Sequence, residues 1–344
     1  MIRSPAAQPS AEARRRSRIG RAVQLALTVL ACGAIVYIVD WERFVGSLGR
    51  AHFGWLALAY VLFVADRVLM AYKWGLLLEV QGIRVPLWER WGIYSLATLT
   101  STFMPATVGA DALRIAWLWR RGAPGWPVTA SVVVERLVGF AVGLAISATA
   151  LLYLSHVSLD APVDFGAAIP IVLFTLLAVV GLIAWSLSRR AGQWLEGRLG
   201  RLLGERINVL LTRAYSAYAA YRSARGVLAA TTLLTAAEQL LTLLMMYLLA
   251  PSLGIEVPFV HFCAAVAVAI LVSRLPIAID GIGVYEGVLI LLLNLAGVDP
   301  AETVALAIVG RALNVVAFMP GAVLLIALTD VRLGQLLSRE RNSG

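Results

Sequence analysis

Long apolar runs alternate with short charged clusters along this chain, and that alternation predicts helices that cross a bilayer. Six runs, about 22–39, 54–79, 128–154, 167–187, 226–249 and 302–328, are long enough to span a hydrocarbon core about 30 Å thick. Two further apolar regions, 91–110 and 259–297, are interrupted by Pro, Gly and charge. The predicted fold class is an all-α polytopic membrane protein with six full crossings and two broken or re-entrant helical segments. The longest polar stretch lies between Leu187 and Gly226, so no separate soluble domain is expected.

Arginine bias in the short connections sets the expected orientation. An Arg-rich N-terminus, the 188–225 segment with eight Arg against Glu196 and Glu205, and a tail with Arg332, Arg339 and Arg341 all read as cytoplasmic. Residues 155–166, 250–258 and 298–302 carry acids and no Lys or Arg, and read as external. Parity then requires 91–110 to leave and return on the cytoplasmic side and 259–297 to do so on the outer side. Each half becomes crossing, crossing, broken segment, crossing, with the halves starting on opposite sides, the pattern of an inverted-topology repeat. Pro105 and Pro276 stand 171 apart, as do Arg67 and Glu238, and Arg136 and Arg311 stand 175 apart. The expected organisation is a basic cytoplasmic N-terminus over 1–21, one transmembrane domain over 22–329 and a cytoplasmic tail over 330–344. The repeat halves fall at about 22–154 and 167–329, with 188–225 an amphipathic segment on the cytoplasmic leaflet.

Composition agrees with a membrane setting. Of 344 residues, 60% are hydrophobic and 14% charged, against roughly a quarter charged in soluble domains; mean hydropathy is +0.83. The net charge of +9 lies beside the apolar runs, where it meets anionic headgroups, so nucleic acid is not expected as a partner. Cys32 and Cys263 sit inside apolar segments and imply neither a disulfide nor a metal site. The Arg cluster before Ala22 resembles a signal peptide, but the run to Val39 is long for one and ends without a small-residue cleavage pattern. The first span is read as uncleaved, in a bacterial-type inner (plasma) membrane.

An ionised side chain at bilayer depth costs at least about 2.5–3.5 kcal/mol on insertion scales, so each one needs a partner or a task. Asp66 and Arg67 are expected to neutralise one another, and Lys73 to snorkel to the interface. In the first broken segment Pro105 removes a backbone donor and Gly109 permits close approach or a positive φ, marking a hinge. Asp111 can cap the helix 111–122, and six Ser/Thr hydroxyls from Ser95 to Thr107 suit a re-entrant turn or a polar cavity. Glu135 and Arg136 are helical neighbours about 100° apart and must face different partners, either Asp111 and Arg114 or a substrate. The second broken segment, from Ser273 to Gly287, places Pro276, Gly281 and Gly283 as hinges beside Asp280 and Glu286. Arg311 and Asn314 share a face of the last crossing. Arg136 and Arg311 could flank a phosphate headgroup, with Glu286 as counter-ion in the empty state; a plain interhelical Arg311–Glu286 pair is the alternative.

The two broken segments resemble the signatures of the lysylphosphatidylglycerol synthase transmembrane family of flippase-like proteins. The first is similar to its Pro-…-Gly-Gly-Asp-Ala-Leu-Arg motif at Pro105, Gly109, Ala110, Asp111, Ala112, Leu113 and Arg114. It is followed by Arg120-Arg121-Gly122 and by Glu135-Arg136-Leu137. The second resembles Pro-…-Gly-Gly-Leu-Gly-Val-Arg-Glu-Gly at Asp280 to Gly287, followed by Gly297-Val298 and Arg311-…-Asn314. Ala110, Asp280 and Tyr285 depart from the pattern, and the last removes a usual basic residue. Full-length synthases of the family carry a soluble aminoacyl-transfer domain after the membrane part; this chain ends at Gly344, so aminoacyl transfer is not expected.

The function implied is a lipid flippase or transporter moving an amphiphile with a polar or phosphate headgroup. Its substrate-binding candidates are Asp111, Arg114, Glu135, Arg136, Asp280, Glu286, Arg311 and Asn314. No catalytic residue, cofactor or metal is assigned; the partners expected are anionic or phosphate-bearing lipids, and a homo-oligomer is allowed. No nucleotide-binding loop is present, so energy would come from gradients or from consumption of product. The alternatives are an intramembrane transferase on a lipid-linked substrate, using Asp111, Glu135 or Glu286 as base, and an accessory scaffold in glycolipid or hopanoid biosynthesis.

Overall fold

The computed structural model describes residues 41–49, 51–102, 109–157, 165–188, 205–274 and 281–342. The run expected at 22–39, and Pro105, Pro276 and Asp280, lie outside these residues. The described residues form helices and their connections, with no strand among them. In chain order the helices are α1 (Trp41–Gly49), α2 (Phe53–Val80), α3 (Leu87–Thr102), α4 (Gly109–Arg120), α5 (Gly125–Val157) and α6 (Phe165–Ser186). Then follow α7 (Glu205–Ala219), a 3-10 turn (Ala220–Arg222), α8 (Arg225–Ser252), α9 (Phe259–Ser273), α10 (Val284–Asn294) and α11 (Pro300–Asn342). Among the described residues five helices are long and apolar enough to cross a membrane: α2, α5, α6, α8 and α11 as far as Leu328. They match five of the six expected crossings to within a few residues at their starts. The two broken regions each divide into a pair of shorter helices, α3 with α4 and α9 with α10.

The two halves follow one register. α2 and α8 start at residues 53 and 225, and α3 and α9 at 87 and 259, an offset of 172 in both cases. After the breaks α4 and α10 start at 109 and 284, and α5 and α11 at 125 and 300, an offset of 175. The second break is therefore three residues longer (175 less 172). Helix ends repeat as well as starts. Gly82 and Gly254 (φ 71° and 72°) close α2 and α8 in the left-handed region that glycine adopts without steric cost. Gly82 N donates to Glu79 O and Ile83 N to Leu78 O; Gly254 N donates to Pro251 O and Ile255 N to Ala250 O. Gly122 and Gly297 (φ 87° and 82°) close α4 and α10 with the same pair of bonds, Gly122 N to Trp119 O and Ala123 N to Leu118 O matching Gly297 N to Asn294 O and Val298 N to Leu293 O.

Packing obeys the same exchange. α2 and α8 pack on each other at the centre. Swapping the halves turns α3 on α11 into α9 on α5, α2 on α3 into α8 on α9, and α4 on α5 into α10 on α11, and all of these contacts exist. Even α1 against α11 is answered by α7 against α5. Among the described helices this contact pattern is preserved when the two halves are exchanged across the α2–α8 contact.

Small residues let the helices approach closely, as expected where lipid leaves no hydrophobic drive between them. Gly321 of α11 lies against Ser95 and Trp91 of α3, and Gly92 of α3 against Leu325 of α11. On the partner contact Ser147 Oγ of α5 donates to Ala267 O of α9 at 3.2 Å. The outside is apolar: α6 packs on α5 and turns Ile171, Phe174, Leu177 and Leu182 outward, a surface suited to lipid chains. Charge is turned inward, with Asp66, Arg67, Lys73, Arg114, Glu135 and Glu286 all buried. α7 is tied beneath α5 and α6 by Tyr218, which shares a 2.7 Å hydrogen bond with Ser186, and by Tyr215, which donates to Ser188 O at 2.8 Å. Tyr221 donates to Leu77 O at 2.8 Å, and burial pushes its phenol up to about 12, so it remains a donor.

The second break is closed by a backbone approach. Gly281 has φ 66°, and a Cβ there would lie 2.7 Å from Ser273 Cβ and 2.9 Å from Ser273 O. Gly281→Ala is expected to cost about 1–3 kcal/mol of stability, from the left-handed backbone and the backbone clash together. Gly287→Ala, with open space around it, should be neutral or slightly stabilising in the same detergent-solubilised melting series.

Candidate functional site

Two carboxylate–arginine pairs occupy corresponding places in the halves. Asp111 is the third residue of α4 and Glu286 the third of α10, so each lies beside the positive end of a short helix that follows a break. Arg136 Nε donates to Asp111 Oδ2 at 2.8 Å, and Arg311 Nε donates to Glu286 Oε1 at 2.6 Å. Both pairs span 25 residues and use the same guanidinium nitrogen. The arginine side chains are 60% and 37% exposed, while the carboxylates are 15% and 9% exposed. Each guanidinium is thus held on one edge by a nearly buried acid, and among the described residues its two terminal nitrogens have no hydrogen-bond acceptor.

The surroundings differ between halves. In the first, Arg114 is buried between two acids: Nη1 donates to Glu135 Oε2 at 2.8 Å and Nη2 to Asp111 Oδ1 at 2.6 Å. Its guanidinium also lies over Tyr94 (4.3 Å) and Trp74 (5.0 Å). In the second half the offset of 175 puts Leu289 in the place of Arg114 and Gly310 in that of Glu135. Leu289 is fully buried, and Gly310 packs on Met246 and Leu249. The Arg114–Glu135 pair therefore cancels within the fold, and the feature common to both halves is the acid–arginine pair. Glu286 takes a further 2.7 Å hydrogen bond from Gly283 N, which fixes it at the head of α10 with Gly283 at φ 82°. Arg311 lies 5.8 Å from the ring of Tyr285, whose buried hydroxyl has no hydrogen-bond partner among the described residues.

Of the residues selected from sequence, Asp111, Arg114, Glu135 and Arg136 come together in one network, and Glu286 and Arg311 in another. Glu135 and Arg136 do face different partners. Asn314 is half-buried one turn beyond Arg311, and Gly109 opens α4. Asp111 places both carboxylate oxygens on guanidinium groups. Asp66 pairs with Arg67 at 2.9 Å as expected.

Lys73 differs from expectation. It is 3% exposed and bonded to Glu238 of α8, and does not snorkel outward. The register explains this: residue 73 corresponds to 245, and Met245 is fully buried in the other half. Glu238 corresponds in turn to Asp66, not to Arg67 as the 171 spacing suggested.

A cavity of about 130 Å³ opens where α5, α8 and α9 meet, beside the Lys73–Glu238 pair. Gly143, Ser147, Glu238, Gln239, Thr242 and Arg274 give it its polar and open wall. Sequence reading had not singled out Gln239, Thr242 or Arg274 as site residues. The available signal was polarity inside the apolar runs of α8 and α9.

A family model described as lysylphosphatidylglycerol synthase TM region matches residues 21–321. A UPF0104 membrane protein of Methanothermobacter thermautotrophicus is 24% identical over 320 residues, covering 85% of this chain and 90% of its own. The matched region contains both networks and both breaks, and the apolar helices make the chain a polytopic membrane protein. By that match this chain belongs to the family of the lysylphosphatidylglycerol synthase TM region.

Proposed function

We propose that the protein moves a lipid with a polar or phosphate-bearing headgroup between bilayer leaflets. The observation that carries this reading is the acid–arginine pair repeated in the two halves with one guanidinium edge left open. Arginine stays charged at bilayer depth and presents a planar fork that matches a phosphate. Two such groups on corresponding helices offer a headgroup one polar station in each half. The partner acids lower the cost of the empty state, and a headgroup can compete for the same donors. In this reading both termini are cytoplasmic, the membrane is a bacterial-type plasma membrane, and the α2–α5 and α8–α11 units are inversely oriented repeats.

The test is a leaflet-specific quenching assay in proteoliposomes carrying fluorescent neutral, anionic or glycosylated lipids. The wild-type protein should accelerate exchange of at least one class over empty vesicles. Arg136→Ala with Arg311→Ala should lower that rate at least tenfold. Rates indistinguishable from empty vesicles across all three classes would sink the proposal.

A further inference from the structure

The helical pairs on either side of the breaks, α3 with α4 and α9 with α10, are each tied at their open end. Pro86 and Pro258 stand just before α3 and α9 in the shared register. Their carbonyls accept the amides of Arg90 and Phe262 at 3.1 and 3.0 Å. Three residues beyond each proline stands a buried polar side chain, Glu89 in the first half and His261 in the second. Glu89 pairs with Arg121, which follows α4 and precedes its closing Gly122. His261 Nε2 lies 3.2 Å from Leu292 O, in the last turn of α10.

The two ties differ because the two helix ends differ. In α4 the amide of Arg121 reaches Trp117 O at 3.3 Å, so that carbonyl is taken and the Arg121 side chain makes the tie. In α10 the amide of Ala296 turns to Leu293 O at 2.9 Å, and Leu292 O, the counterpart of Trp117 O, is left for the imidazole. A carbonyl only accepts, so Nε2 carries the proton, and the neutral ring suffices for the bond. Ala296 stands where Arg121 stands and has no side chain to copy the first half's pair. One place in the fold is closed by two unrelated chemistries, an ion pair and an imidazole–carbonyl bond. What the halves share is the tie itself.

At the other end of each short helix stands the acid of an acid–arginine pair, Asp111 in α4 and Glu286 in α10. Each helix is therefore pinned twice, its head to an arginine of the following crossing and its tail to the start of its hairpin partner. Helices of this length are rods about 17 Å long, so a displaced tail carries the head with it. We propose that Glu89 and His261 are positioning residues, whose ties hold Asp111 and Glu286 in register with Arg136 and Arg311. Their effect on lipid exchange rests on the transport reading; their effect on the two short helices does not.

The experiment uses the full chain in phosphatidylcholine nanodiscs, with amide hydrogen exchange read by mass spectrometry, and the leaflet assay on the same variants. The stretch 281–294 includes the Gly283 amide, which donates to Glu286 and so reports the head of α10. His261→Leu should speed hydrogen exchange over 281–294 at least tenfold, leave α2 and α8 within twofold of wild type, and slow lipid exchange at least fivefold. Glu89→Leu, which leaves the part-exposed Arg121 to water, should do the same over 109–120. His261→Gln, whose amide nitrogen can take the place of Nε2, should return both readouts to within threefold of wild type. His261→Glu with Ala296→Arg transplants the first half's tie and should recover the protection that His261→Glu alone loses. Protection unchanged in His261→Leu, lost at all helices alike, or lost equally in His261→Gln and the transplanted pair, overturns the proposal. So does loss confined to the tail of α10 with the Gly283 end still protected. Wild-type vesicles without lipid exchange remove the transport reading, and hydrogen exchange still decides the tie. Lipid exchange at full rate in a deprotected His261→Leu keeps the tie and counts against the transport role of the Glu286–Arg311 pair.

Discussion

Arg114→Leu is expected to destabilise the protein by about 3–5 kcal/mol, the usual penalty for removing one partner of a buried ion pair. Glu135 is 7% exposed on its side chain and would keep only the long 3.5 Å contact from the Tyr94 hydroxyl. An ionised carboxylate left that way has neither water nor a cation, and this cost, not the lost hydrogen bond, sets the size of the effect. Interhelical hydrogen bonds measured in a membrane protein average only about 0.6 kcal/mol. The second half of the molecule indicates the cure, because Leu289 and Gly310 occupy the corresponding places without any charge. Arg114→Leu with Glu135→Ala should therefore recover most of the loss, to within about 1.5 kcal/mol of wild type. Unfolding in mild detergent, followed for the single and double variants, gives both numbers. If the double variant were as unstable as the single, the pair would not be the self-cancelling element that the repeat implies. Asp111 still has Arg136 in each variant, so lipid exchange by the double variant separates the structural pair from the proposed headgroup station.

The elements that sequence made legible are those whose signal is continuous. Crossings such as α5 and α8 appear within a few residues of their observed limits because a run of apolar side chains has to extend across the hydrocarbon. The breaks were legible for the opposite reason: Pro, Gly and acids there are too costly for lipid-facing helix. The register between halves was only partly legible. Arg136 and Arg311 carry the same side chain and reveal the offset of 175, whereas Asp111 and Glu286 hold the same place with different side chains. Before the breaks the offset is 172, and Arg67 and Glu238 came within one residue of it by coincidence of type. Lys73 was misread because snorkelling is a local argument, while its partner lies 165 residues away on α8. Arg274 was hidden by its neighbours, in a stretch crowded with Pro, Gly and acids.

The buried position of Lys73 leads to the second large expected effect. Lys73→Glu would face Glu238 across the α2–α8 contact, close to Asp66, whose Oδ1 already lacks a hydrogen-bond partner. Side chains at this depth are nearly closed off from water, Lys73 at 4% and Glu238 at 15% exposed, so solvent screens the repulsion little. We expect a loss of at least about 3–5 kcal/mol, large enough to deplete folded protein from membranes. A snorkelling lysine would give another result, since a glutamate at the interface would meet water and cost little. The charge-swapped double variant, Lys73→Glu with Glu238→Lys, should restore a substantial part of the stability, because opposite charges again meet across the same two helices. Lys73→Met provides the remaining corner: it copies Met245 but strands Glu238, and should fall between the reversal and the wild type. Recovery by the swap but not by Lys73→Met would show that the central contact needs charge balance and not merely volume. Equal recovery by both would mean that Glu238 is solvated from the adjoining cavity, and the ion pair would then be dispensable to the α2–α8 contact.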